Sequence, residues 1–285
     1  MEKFLICQPK GGINDMFCQI GKCIFYAEKY DRTLIIDSTL SDLHTDLSKY
    51  FTVNNLYKNI KLDLTNQQIE QFYSDPEFPQ DFLLRSNDCL DPVCAPFQSN
   101  VPHKFLLHRS FGGGYCSLHA LHYFVLNKEI SEKIKFKKQQ LGNYHAIMIR
   151  HRDYNTDYKK ALNDVASLNL SIPLFLFTDN HVVQEYAKTL NFKHLITNES
   201  LNKFYDFNLP IMYMPRTDPK VSQHEINIQV LMDLFLAALS DHIYPTYLLG
   251  YMGDNQFANV KIKSGFINLA IELQNNKQLL ENLLG

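Results

Sequence analysis

Apolar residues follow two rhythms along this chain, short unbroken runs and helical stripes, and the two alternate. Phe4-Leu5-Ile6-Cys7 is an unbroken run that predicts a buried strand. From Asn14 to Lys29 the apolar positions Phe17, Ile20, Ile24 and Ala27 recur near the helical period, which predicts a helix. Thr33-Leu34-Ile35-Ile36-Asp37 is a second run. A strand, a helix and a strand open the chain, the βαβ order of a parallel sheet. Residues 38–100 predict no element, with turn-forming clusters at Asp75-Pro76 and Asp91-Pro92. Phe105-Leu106-Leu107 predicts another strand, Gly112-Gly113-Gly114 breaks the chain, and Ser117 to Phe136 predicts one long helix.

The second half repeats the order more cleanly. His145 to Arg150 and Ile172 to Phe177 are apolar runs separated by a helix-compatible segment. Val182 to Leu190 predicts a helix, Lys193 to Thr197 and Ile211 to Met214 strands, Ile226 to Leu239 a strongly apolar helix, and Ile243 to Tyr247 a strand. This is a second α/β unit with its own parallel sheet. Phe266 to Leu284 predicts one amphipathic helix, packed on a domain or bridging both, with an oligomer or membrane surface as the alternative. The expected division is residues 1–143, 144–265 and a closing helix at 266–285, and no period of 20–50 residues repeats.

Length supports that division, because 285 residues exceed what one core usually holds. Apolar residues are 45% of the chain and charged residues 20%, a globular balance. A formal charge of −2 gives no basic field, so nucleic acid is not an expected partner. The 6 cysteines, Cys7, Cys18, Cys23, Cys89, Cys94 and Cys116, form no C-x-x-C pair and read as reduced thiols. The first apolar run is too short for a signal sequence and no stretch is long enough to span a bilayer. A cytoplasmic protein is expected, with peripheral association at the inner membrane face left open.

The segment GGINDMFCQIGKC, residues 11–23, invites a phosphate-loop reading that its spacing refutes. The interval from Gly12 to Gly21 is twice that of a Walker loop, and Cys23 stands where the magnesium-binding hydroxyl belongs. The dinucleotide fingerprint G-x-G-x-x-G is missing as well. No H-E-x-x-H and no D-x-D occurs, so a metal site is not expected, and His119 with His122 reads as a structural pair rather than a ligand pair. If a nucleotide diphosphate binds, cationic side chains and helix amino termini must take its charge.

Four stretches, in order, carry a family resemblance. GGINDMFCQIGKCIFYAEKYDRTLIID (11–37) resembles the opening of the α1,2/α1,6- and protein O-fucosyltransferase superfamily, a glycine turn followed by a helix and a strand ending in Asp. FLLHRSFGGGYC (105–116) is similar to the segment before that family's linker. IMIRHRDY (147–154) is similar to its His-Ile-Arg-Arg-Gly-Asp-Tyr motif, and FLFTDN (175–180) to its Phe-Ser-Asp-Asp. VLMDLFLAALSDHIYPTYLLGYM (230–252) sits where the family carries a helix, a strand and a hydroxyl-bearing turn.

The resemblance implies a GT-B fold, two Rossmann-like domains facing across a cleft, the first holding the acceptor and the second a nucleotide sugar. It implies an inverting, metal-independent glycosyltransferase without a cofactor, moving fucose from guanosine diphosphate-fucose to a glycan or glycolipid hydroxyl. Another donor sugar, or a catalytically silent sugar-binding protein, is the alternative. Arg150 matches the family's diphosphate arginine, whose rival role is an ion pair with Asp153 or Asp157. Asp179 matches a nucleoside contact, with a helix N-cap as its rival, and Thr246 a phosphate contact or a turn residue. His151, Arg152, Asp153 and Tyr247 complete the donor set. Gly11 and Gly12 would form a tight strand-to-helix turn that lets the backbone approach sugar or phosphate, and Asn14 belongs to the same donor-binding set. Asp15 is the candidate base, with a plain helix cap as its rival, and Gln19 would orient it. The chain departs from the motif at Met148, which replaces histidine, at His151 and Arg152, which replace Arg-Gly, and at Tyr247-Leu248, which stand where Ser/Thr-Phe-Ser is expected.

Overall fold

A computed structural model describes residues 2–55, 57, 59–62, 74, 83–85, 94–96, 99–110, 112–114, 116–198, 222–251 and 261–285. The expected strand at Ile211 to Met214, the turn clusters at Asp75-Pro76 and Asp91-Pro92, and Cys89 lie outside these residues. The chain divides into two compact units, Met1–Lys128 joined by Glu281–Gly285, and Glu129–Leu280.

In the first unit, β1 (Phe4–Pro9) is buried along its whole length and leads through Gly11 and Gly12 into α1 (Ile13–Lys29). Gly11 adopts φ +87°, a left-handed turn that disfavours a side chain, so the strand reverses into the helix within two glycines. Then come β2 (Thr33–Ile36), β3 (Phe51–Val53), β4 (Ile60–Lys61), β5 (Leu83–Arg85), β6 (Cys94–Pro96) and β7 (Phe105–Ser110). The sheet order is β4-β2-β1-β7-β5-β6, parallel throughout. Both faces of a parallel sheet are covered, which is why β1, β2 and the start of β7 read as unbroken apolar runs. Ile6, Ile35, Phe105 and Leu107 form one patch of core on it.

The long helix expected over Ser117 to Phe136 is instead α2 (Ser117–Leu121), β8 (Phe124–Leu126) and α3 (Lys128–Leu141). The reason is an aromatic cluster. Phe17 of α1 meets Phe51 edge-on at 5.3 Å and Phe124 at 5.7 Å, which draws residues 124–126 into an antiparallel pair with β3. At Gly21 α1 packs tightly against the start of α2, because a Cβ there would lie 2.3 Å from the Cys116 carbonyl oxygen. Arg32 is buried just ahead of β2 and donates to the carbonyls of Phe4, Val101 and His103.

The second unit centres on β9 (His145–Ile149), followed by β10 (Tyr154–Thr156), α4 (Tyr158–Ala166), β11 (Leu174–Thr178), α5 (His181–Lys188), β12 (Leu195–Thr197), α6 (Gln223–Ala238), β13 (His242–Pro245) and β14 (Leu248–Tyr251). Its parallel sheet runs β12-β11-β9-β13. Pro245 ends an edge strand, where its missing N–H costs the sheet little. Ile147, Ile149, Leu174 and Leu176 pack against Leu162, Val165, Val183 and Ala187 of the covering helices. Burial of each such aliphatic side chain contributes roughly 1.5–3 kcal/mol.

The expected closing helix is broken into α7 (Gly265–Asn275) and α8 (Lys277–Leu284). Asn276 leaves helical geometry, and its side chain accepts the Leu279 N–H at 3.2 Å, capping the second piece. No helix among the described residues is long and apolar enough to cross a membrane. Cys7, Cys18, Cys23 and Cys116 carry free thiols.

Candidate functional site

The strand order of the second unit fixes where polar groups can gather. The chain adds β11 and β12 on one side of β9 and then crosses to place β13 on the other, so the carboxyl ends of β9 and β13 flank a topological switch point. Residues 150–154 leave β9 there, and Thr246 and Tyr247 leave β13. Both segments continue into β10 and β14, which pair antiparallel, so each loop is held at both ends.

Arg150 stands directly after β9. Its Nε donates to Oδ1 of Asp153 at 2.8 Å and its Nη2 to Oδ2 at 2.5 Å. The guanidinium also lies 4.7 Å from the Tyr154 ring centroid. Burial disfavours its charge, but the Asp153 carboxylate and the charge of Asp179 hold it above the ordinary arginine range. The ion-pair reading of Arg150 is thus met by Asp153.

Asp179 follows β11, and its Oδ1 accepts the His151 N–H at 2.8 Å. It is not the helix cap. Asn180 fills that role, accepting the Val182 N–H at 2.9 Å, while its amide donates to the His151 carbonyl. Burial pushes the Asp179 carboxyl up to about 6 against the opposing pull of Arg150 and the His151 N–H. His151 is held below its ordinary range by burial, which fits an Nδ1 that accepts the Thr156 N–H at 3.2 Å. The Thr246 hydroxyl donates to the Met148 carbonyl at 2.7 Å, tying the ends of β9 and β13 together. Tyr247 is partly exposed beside it.

Arg152 is the outlier. It is only 5% exposed, yet its Nε and Nη2 find no acceptor among the described residues. Burial pulls its pKa down, opposed by the charges of Asp179 and Asp153.

The first unit gathers a second polar set at the carboxyl ends of its central strands. Asp15 lies in the first turn of α1, where Gly12 and not a side chain is the cap. Its carboxylate is wedged between two glycine backbones, since a Cβ on Gly11 or on Gly113 would lie 2.9 Å from one of its oxygens. The segment 112–114 is pinned over α1 by Gln19, which donates to the Gly112 carbonyl, and by the Cys18 thiol, which donates to Gly114 at 3.0 Å. Gln19 accepts in turn from His108 Nε2 at 2.9 Å, so this residue holds the glycine segment rather than Asp15. Asn14 is buried with its amide facing Gly113.

Sequence reasoning missed one network here. Arg109 donates to Gln8 at 2.7 Å, and Gln8 donates to Asp37 at 2.7 Å. Each of the three stands at the end of an apolar run, the same signal that singled out Arg150 and Asp179. His119 is stacked 3.8 Å from Phe25, an arrangement of packing, and no group of three or more His, Cys, Asp or Glu side chains converges among the described residues.

No protein-family model matches the sequence, and no curated protein matches it. Solved structures do. The fucosyltransferase NodZ from Bradyrhizobium superposes with a TM-score of 0.59 at 15% identity, over 95% of this chain and 92% of that one. The NodZ α-1,6-fucosyltransferase co-crystallised with GDP gives 0.60 at 15%, over 96% and 93%. A variant of Arabidopsis thaliana FUT1 in complex with GDP gives 0.56 at 12%, over 96% and 69%. At such identities the likeness speaks for architecture, and this chain has the GT-B fold of the fucosyltransferases.

Proposed function

We propose that this protein is a glycosyltransferase that moves a sugar from a nucleotide diphosphate donor to a hydroxyl of a glycan or glycolipid. The observation that carries the reading is Arg150, held in a fixed plane by Asp153 directly after β9 at the β9/β13 switch point of the second unit. Open α/β sheets take ligands at this place, and an arginine there suits a diphosphate. GDP-fucose is the leading donor, because NodZ has been soaked with GDP-fucose and co-crystallised with GDP.

The chemistry follows from the residues. In an inverting displacement the acceptor hydroxyl attacks the anomeric carbon, its proton passes to a carboxylate, and the bond to the diphosphate breaks. Arg150 offers a permanent charge to the departing diphosphate, which lets the step proceed without a metal. Asp15 is the proposed base. Asp179, whose Oδ1 is spent on His151, has a second oxygen for a base or ribose edge.

Calorimetry of GDP binding to wild type and Arg150→Ala tests the site. A drop of roughly 30-fold or more is expected for loss of a charge-assisted contact. An unchanged affinity removes Arg150 from it. A second reading, a sugar-binding protein without turnover, draws on the pairing of Arg150 with Asp153, which already neutralises the cation. GDP release from GDP-fucose, with or without acceptor, separates the two: binding without release favours the silent protein.

A further inference from the structure

We propose that Arg152 is a second phosphate-gripping residue of this site, a donor edge preformed in the fold and completed only by a ligand's oxygens. The inference rests on the reading of the switch-point crevice as a nucleotide diphosphate site.

The argument begins with an imbalance. A buried guanidinium must spend its N–H groups on acceptors or destabilise the fold, because each buried donor left unmade costs its desolvation. Arg32 spends Nη1 and Nη2 on backbone carbonyls, and only its Nε is unmet among the described residues. Arg152 is left with a whole edge. It is equally buried, yet its Nε and Nη2 are unmet among the described residues. The neighbouring carboxylates lend it charge but no hydrogen bond to that edge, since Asp153 commits both oxygens to Arg150 and Asp179 commits Oδ1 to the His151 backbone. With Asp153 paired to Arg150, Arg152 is the surplus cation of the loop.

Nε and Nη2 form one edge of the guanidinium, and their parallel N–H bonds match two oxygens of a single phosphate. A neutral sugar hydroxyl would leave the buried charge uncompensated. The residue lies three positions past the end of β9, in a loop held by the β10/β14 pair, so the edge is presented in a fixed orientation. It also falls at the motif position where the fucosyltransferase pattern has glycine. The chain therefore adds a cation where that pattern has no side chain.

The test compares wild type, Arg152→Met and Arg152→Lys by calorimetry and thermal shift, with GDP, guanosine and inorganic pyrophosphate as probes. Methionine fills similar volume without charge or donors. In Arg152→Met the affinity for GDP is expected to fall roughly a hundredfold toward that of guanosine, and the pyrophosphate response to vanish. The ligand-free melting temperature should stay level or rise, because an unmet buried charge has been removed. GDP and pyrophosphate affinities within threefold of wild type would overturn the assignment. If the methionine variant does not fold, Arg152→Lys keeps the charge and loses the fork, with a drop of about tenfold expected and no drop overturning the proposal. Wild type that binds pyrophosphate through Arg152 but no nucleotide would sink the glycosyltransferase reading and keep the anion site. Wild type that binds neither sinks both.

Discussion

Asp153 grips Arg150 at two points, accepting from Nε at 2.8 Å on one oxygen and from Nη2 at 2.5 Å on the other. Such a fork fixes the plane of the guanidinium and lowers the net charge a phosphate would meet. Asp153→Asn keeps the shape, leaves one acceptor and removes the negative charge. GDP affinity is expected to stay level or rise, while kcat for transfer falls about tenfold as the guanidinium loses its orientation. A parallel fall in affinity and turnover would mean that the ion pair shapes the binding pocket itself.

Gly113 offers a way to move Asp15 without replacing it. An added Cβ would lie 2.9 Å from Asp15 Oδ1 and 3.2 Å from Asn14 Nδ2, both at the ends of side chains that can yield. Gly113→Ala should therefore fold with a stability change within about 1 kcal/mol and slow transfer tenfold or more. Asp15→Asn should slow it by about two orders of magnitude with GDP affinity intact. Wild-type turnover in both variants would leave Asp15 as a first-turn helix residue.

Gly21 makes the opposite case. Its added Cβ would meet the Cys116 carbonyl oxygen at 2.3 Å and the Cys116 Cβ at 2.9 Å, and backbone cannot step aside cheaply. Gly21→Ala is expected to cost about 1–3 kcal/mol or more in urea unfolding. An unchanged midpoint would show that α1 and α2 can slide apart.

Asp233 predicts a pH dependence. Burial pushes its carboxyl up to about 7, opposed by hydrogen bonds from Gln229 at 2.6 Å and Asn198 at 3.0 Å. The fold thus holds the proton more tightly than the unfolded chain, whose carboxyl titrates at 3.8. This contribution to stability is complete below that value and is lost as pH rises through about 7. Asp179 tilts stability the same way, through about 6. Asp233→Asn keeps an oxygen for both amides and carries no charge. It should exceed wild type by on the order of 1–3 kcal/mol at pH 8 and match it near pH 4. Melting curves at the two pH values check this, and equal curves at pH 8 would refute it.

What the sequence made legible follows from which faces an element buries. β9 and β11 are covered on both sides, so they read as unbroken apolar runs, and the polar residues just beyond them could be singled out. β10 and β14 exist because they pair with each other beyond the sheet, and Tyr154-Asn155-Thr156 carries no apolar pattern to announce it. β8 was hidden because Phe124-Val125-Leu126 also suits a helix, and only the distant Phe17 and Phe51 decide the matter. The break at Asn276 did have a local signal, an Asn-Asn pair ahead of Lys277. Whether Asp179 or Asn180 caps α5 could not be read from the order of letters, since both suit the role. The partners of Arg150, and the Nε and Nη2 of Arg152 that are unmet among the described residues, depend on distances, and neither is written in spacing.

Residues 281–285 belong to the first unit, with Leu283 and Leu284 buried and Gly285 beside Val125. A ribosome making this chain emits the whole of the second unit before it delivers that last piece. The earlier unit must wait, incomplete, for its own closing residues, so its maturation is tied to the synthesis of its neighbour.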